Sequence, residues 1–331
     1  MSGATAWLGA LFCASLLALP YSAAPAQEQT LRTQSNLVFV PALVKSEKGK
    51  VVYGLQQKDF IIEDDGVQQA IHLDEEAEGE PVSLVIAIQR GRRARKKYAR
   101  IRTLSTMLDP ISGQAQTETA LVEFDSHVEL IRNFTNNTDW IAGDLETLQE
   151  GDAGAAIRDA VSYSVNLLDG VPKTRRRVLL LISETRDHGS KLASISDVVT
   201  AIGNSSTVVY ALSYSPAVSE IHDTLNGKNR DEMTPYIQFD ALLAIAWQAM
   251  RNNTPKEIAA LTGGEYALFE TEHLFEKMML DFDNNLHSRY LLSFQPSQPH
   301  PGMHRIHVKL SQQKSETILA RSSYWAPGPQ Q

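Results

Sequence analysis

This 331-residue chain predicts an α/β fold: a doubly wound, mostly parallel sheet with helices on both faces, plus a small satellite β unit from the N- and C-terminal segments. Three observations carry that expectation. The runs "VSLVIAI", "RRVLLLIS" and "TVVYALSYS" are apolar without polar alternation, as in strands covered on both faces. Segments of helical length lie between them, and strands alternating with helices indicate a parallel sheet. The turn-rich, alternating segments at the two ends are each too short to bury a core, so they are expected to pack together.

In chain order, residues 1–26 form a signal-peptide pattern, with an apolar run from Trp7 to Leu19, small residues Ala24-Pro25-Ala26 and cleavage expected after Ala26. That run falls short of the roughly 20 residues a bilayer demands. The single cysteine, Cys13, lies inside it, so the mature chain is expected to hold no thiol. Residues 27–80 form the N-terminal β segment. There "NLVFVPALV" and "VVYGL" read as strands, and "KDFIIEDDGVQQAIHL" as a hairpin about Asp65-Gly66.

The α/β domain is expected over 81–288. Its first central strand ends at Ile88, followed by a helix with Ala94, Tyr98, Ile101, Leu104 and Leu108 on its apolar stripe. "ETALVEFD" and "HVELIRNF" are separated by so few residues that they read as a hairpin. Helices are expected at 138–149 and 154–168, over "ISDVVTAIGNSS", and over "TEHLFEKMMLDFDNNLHS" with Thr271 as its cap. "TPKEIAALTGGEYALFE" reads as helix, glycine turn and short strand, and the polar stretch 214–238 as an exposed loop. Residues 289–331 are expected to form a hairpin from "RYLLSFQPS" and "HRIHVKL" that packs with the N-terminal segment.

The formal charge of −8 argues against global attraction to nucleic acid. Eight cations nevertheless follow the first central strand within residues 90–102. In doubly wound sheets ligands bind beyond the carboxyl ends of strands, where this cluster begins. An anionic surface is therefore one possible partner. The cluster lacks the interleaved aromatics of a single-strand binder.

The stretches "FVPALVKSEKGKVVYGLQQKDFIIEDDGVQQ", "PVSLVIAI", "ALVEFDSHVELIRNFT", "AAIRDAV", "RRVLLLISETRDHGS", "TGGEYALFE" and "RYLLSFQPS", in that order, resemble the von Willebrand factor type A-related family described from acidobacterial proteins. The resemblance implies a Rossmann-type sheet whose strand-end crevice often holds a divalent ion, coordinated by D-x-S-x-S, a threonine and an aspartate on separate loops. Such an ion requires hard oxygen donors. In this chain the first motif falls on Gln89, Gly91 and Arg93, the threonine on Ala155 and the aspartate on Glu184, so only Glu184 keeps a carboxylate. Arg92 and Arg93 further disfavour a dication, since like charges a few ångströms apart repel by about 4 kcal/mol at an effective dielectric of about 20. A degenerate metal-ion-dependent adhesion site, with no metal and no cofactor, is the expectation.

Two readings of the arginines follow. In one, Arg92 or Arg93 places a guanidinium at the vacated cation position and pairs with Glu184 or Asp187. In the other, all of them point to water from the first helix.

Catalytic constellations are not supported by spacing. Ser183, Asp187 and His188 crowd one strand-end loop without a nucleophile elbow. His304 and His307 sit three apart in a strand and face opposite ways, which argues against a shared ion. "LTGGEY" lacks the G-K-[ST] ending of a phosphate loop. The chain is thus expected to be an exported, secreted or periplasmic, non-catalytic protein-recognition module. Its contact residues are Arg90, Arg92, Arg93, Glu184, Arg186 and Asp187, and its protein partner is unidentified. The alternatives are an adhesion module retaining weak Mg²⁺ binding, or a structural component of a cell-envelope complex.

Overall fold

The computed structural model describes residues 37–74, 80–91, 116–214, 239–312 and 315–326. Arg92 and Arg93, the helix expected after the first central strand and residues 215–238 of the polar stretch lie outside them. Four strands open the described chain, β1 (Val38–Lys45), β2 (Phe60–Asp64), β3 (Val67–Gln68) and β4 (Ile71–Asp74). The β2–β3 turn places Asp65 at φ 48° and Gly66 at φ 84°, the pair of left-handed conformations a two-residue hairpin needs. "VVYGL" is no strand beyond one bridge between Val51 and Lys45.

The central sheet comprises β5 (Val82–Gln89), β6 (Thr117–Phe124), β7 (Val128–Thr135), β8 (Arg176–Glu184), β9 (Val208–Tyr214) and β10 (Tyr266–Leu268). Its order is β10-β9-β8-β5-β6-β7, and only β7 runs antiparallel to its neighbour. Counted from β5, that is the doubly wound order 3-2-1-4-5-6, which fixes the topological switch point between β5 and β8.

Six α-helices are described: α1 (Thr138–Glu146), α2 (Ile157–Asp169), α3 (Ile195–Asn204), α4 (Phe239–Asn252), α5 (Thr254–Thr262) and α6 (Glu272–Leu286). β5 shows why its sequence does not alternate. Leu84, Ile86 and Ile88 join a core with Leu145 of α1 and Met279 of α6, while Val85 and Ala87 join another with Val161 of α2 and Val198 of α3. Both faces are buried, so the run Leu84–Ile88 is apolar at every position. Thr271 caps α6, its hydroxyl accepting from the Leu274 amide at 3.2 Å.

The remaining strands are β11 (Tyr290–Phe294), β12 (Gly302–Leu310), β13 (Thr317–Ala320) and β14 (Ser323–Ala326). They combine with the N-terminal strands into two four-stranded sheets, β13-β1-β11-β4 and β14-β12-β2-β3. The expected β11–β12 hairpin and single satellite sheet are corrected here. β11 is paired on both edges, by β1 and β4, and β12 pairs with β2 and β14. Pro296, Pro299 and Pro301 lie between them, where fixed φ angles and missing amides oppose a tight turn. Val40, Phe60, Ile62, Leu292, Phe294 and Ile306 belong to the core these sheets share.

Candidate functional site at the strand-end face

Three chain segments meet at the switch point: the end of β5, the turn before α2 and the end of β8. Gln89, the last residue of β5, is fully buried. Its amide nitrogen donates to Glu184 Oε1 at 3.1 Å and, more weakly, to the Gly154 carbonyl at 3.4 Å. Its amide oxygen accepts from the Glu184 backbone N–H at 2.8 Å. One neutral side chain therefore ties together the three loops on which the resemblance places metal donors.

Packing leaves little freedom around it. A Cβ on Gly91 would lie 2.9 Å from the Gly154 carbonyl oxygen, so glycine allows the two turns to close. The Ala155 carbonyl accepts from the His188 amide at 3.1 Å, and the Ala156 amide donates to the Asp125 carbonyl at 2.7 Å. Glu184, itself buried, meets the His188 ring nitrogen through Oε2 at 3.0 Å.

These positions do not fit a divalent ion. Gln89 presents a donor N–H toward Glu184 where an ion would require oxygen, and the Ala155 side chain has none to offer.

The cations divide by location. Arg90 lies over the β6–β7 edge, its guanidinium 3.1 Å from both Asp125 and Glu129 and 3.4 Å from Glu123. Burial raises the Glu123 carboxyl above its ordinary value despite the opposing pull of Arg90. Asp187 is paired with Arg158, whose guanidinium lies 3.3 Å away and whose backbone N–H donates to it at 2.8 Å. The described cation on Asp187 is thus a helix residue that sequence reasoning did not single out. Arg186 is exposed on the same loop. The Ser183 hydroxyl donates to the Glu184 carbonyl, and Ser190 donates to Asp187, so Ser183, Asp187 and His188 do not form a nucleophilic relay.

The β8–α3 loop has a second organiser. The buried Asp159 carboxylate accepts backbone N–H groups from Lys191 at 2.8 Å, Leu192 at 3.1 Å and Ala193 at 2.7 Å. Leu192 is held outward, 88% exposed, near Arg186, His188 and Lys191 in sequence. A lone leucine in a loop carries no periodic signal, and only its exposure on a fixed backbone marks it.

The strand order, with helices on both faces, defines a mixed α/β domain consistent with the von Willebrand factor A-like fold. No protein-family model matches the chain, and no curated protein sequence matches it. Among solved structures it is similar to the conserved hypothetical protein BatB from Bacteroides thetaiotaomicron, at 13% identity over 62% of this chain and 98% of that one, with a TM-score of 0.42. The PilB minor pilin from Streptococcus sanguinis is 12% identical over 63% of this chain and 62% of its own, with a TM-score of 0.46. Proximal thread matrix protein 1 from the mussel byssus, described with a zinc-occupied MIDAS motif, is 12% identical over 72% of this chain and 50% of its own, with a TM-score of 0.43.

Proposed function

We propose that the chain is an exported, non-catalytic protein-recognition module with a von Willebrand factor A-like domain that works without a metal ion. The observation that carries this reading is the Gln89 amide, bonded to Glu184 and Gly154 where a cation would otherwise join the loops. A side chain cannot be chelated away, so the face keeps one arrangement whatever the ion supply. Export rests on the signal-peptide pattern of residues 1–26. No described helix is long and apolar enough to cross a membrane.

Recognition belongs to the exposed part of this face. Arg186 and Leu192 reach solvent, whereas Glu184 is buried and Arg90 and Asp187 hold neighbouring segments in place. Glu184, Arg90 and Asp187 therefore act as supports, and Arg92 and Arg93 remain proposed contacts. A rigidly held apolar residue with cations close by suits a partner surface offering an apolar socket rimmed by carboxylates.

The test pairs ion binding with capture. Calorimetry with MnCl₂ is expected to give no saturable heat, and a photo-crosslinking residue at 192 to capture the same partner with or without chelator. Leu192→Asp should weaken that partner's retention at least tenfold. Micromolar Mn²⁺ binding abolished by Glu184→Ala, or retention indifferent to Leu192→Asp, defeats the reading.

A further inference from the structure

At the opposite end of the central sheet, where β8 and β9 begin, a cavity of about 600 Å³ lies between the sheet and the strands contributed by the chain's two ends. That volume is within the range of about 300–1,000 Å³ usual for small-molecule sites. Its walls include Phe39, Val178, Val208 and Leu291, which are apolar, and Arg289 and Arg321, which are not.

The two arginines set it apart from a packing defect. Both are more than nine-tenths buried. Arg321 donates only to backbone carbonyls, those of Ser323 at 2.9 Å, Gly203 at 2.8 Å, Phe39 at 3.3 Å and Ile202 at 3.5 Å. Arg289 donates to the Tyr210 hydroxyl and the Gly263 carbonyl, both at 2.8 Å, and to the Leu319 carbonyl at 3.4 Å; its Nη2 has no hydrogen-bond partner. Neither guanidinium has a carboxylate among its partners in the described residues.

The rest of the lining does not repair the imbalance. It contains Lys173, Arg175, Arg176 and Arg177 besides these two, against only Asp74 and Glu80. Arg175, Arg176 and Arg177 have acidic neighbours in Glu118, Glu80 and Asp169. Burial pulls the Arg321 guanidinium down to about 10, against an opposing contribution from Tyr324. A buried cation without a counterion is costly, and an anion brought beside it is attracted far more strongly than in water.

We propose that this cavity binds an amphipathic organic carboxylate, its anionic end beside Arg289 and Arg321 and its hydrocarbon part against the apolar walls. The site is separate from the strand-end face and stands whether or not that face recognises a protein.

Decanoate and decan-1-ol, which share a chain length and differ in charge, are the probes, titrated into the full chain by calorimetry below micelle-forming concentrations. Saturable one-to-one binding of decanoate is expected, at least tenfold tighter than that of the alcohol. Ser206→Trp, which adds bulk at the turn lining the cavity before β9, should weaken decanoate at least tenfold with an unchanged melting temperature. Arg289→Gln should narrow the gap between acid and alcohol; if it fails to fold, the comparison on the unmodified chain and the Ser206→Trp variant decide alone. Absence of saturable decanoate binding, equal affinity for the two probes, or undiminished binding in a folded Ser206→Trp variant overturns the proposal.

Discussion

His304 is fully buried, with Nδ1 2.9 Å from Asp65 Oδ2 and 3.2 Å from Asp64 Oδ1, and Nε2 2.7 Å from the His300 carbonyl. Carboxylates and carbonyls only accept, so both ring nitrogens carry protons and the ring is an imidazolium. Tyr324 stacks on one side and donates to Asp64, and His300 stacks on the other. The His300 and His304 planes lie 19° from parallel with centroids 3.9 Å apart, and both rings approach Asp65. Burial alone would lower the His304 pKa, but the hydrogen bonds to Asp64 and Asp65 outweigh it and push the value up to about 10. A raised folded-state value means that its stabilisation is complete below the unfolded pKa near 6.5 and declines as the pH rises toward 10. Denaturant unfolding of the wild type is therefore expected to show stability falling between pH 7 and 9.5, by at most about 1.4 kcal/mol per unit from this group. His304→Asn should be less stable at pH 6 and flatter across that interval; parallel pH profiles for the two proteins would refute the assignment. Alternation in the strand correctly parts buried His304 from exposed His307. The carboxylates come from a hairpin some 240 residues earlier, beyond the reach of any local pattern.

Between elements, the sequence is legible where periodicity sets the structure and silent where one side chain reaches across the chain. The unbroken apolar runs become β5, β8 and β9 because both faces are covered, and Thr271 caps α6 because a hydroxyl precedes its first turn. The Gln89 link spans 95 residues and the Asp159 contacts span 32 to 34, so neither leaves a motif. Asp159 stands on an ordinary amphipathic helix, and its three acceptor contacts arise only because the β8–α3 loop folds over the start of α2. Removing it leaves three backbone donors competing for water in a half-closed site. Asp159→Ala is expected to lower stability by about 2 kcal/mol or more, since hydrogen bonds to a charged acceptor are each worth roughly 1.5–3 kcal/mol. Hydrogen exchange should accelerate at Lys191, Leu192 and Ala193 before it does in β8. If those amides keep their wild-type protection, the carboxylate is not what orders the loop.

Across the molecule, the strands at the two chain ends and the central sheet share side chains that neither could lose without exposing polar groups. Arg321 links the end of α3 to the β1 backbone, and Arg289 links the start of β11 to Tyr210 of β9 and to the turn after α5. Met303 of β12 and Trp325 of β14 pack into the core formed by α2, α3 and α5 against the sheet. Opening the outer sheets would uncover that apolar surface, so partial unfolding saves little free energy over complete unfolding. The pairing of β1 with β11 and of β2 with β12 also joins residues more than 200 positions apart, so each closes a long loop at an entropic cost. Native-state hydrogen exchange in low denaturant should therefore bring the slowest amides of β1 and β11 onto the same opening isotherm as those of β5 and β8. A lower, denaturant-insensitive plateau confined to β1 and β11 would show that the outer sheets open on their own, and that the packing of Met303 and Trp325 does not couple them to the central sheet.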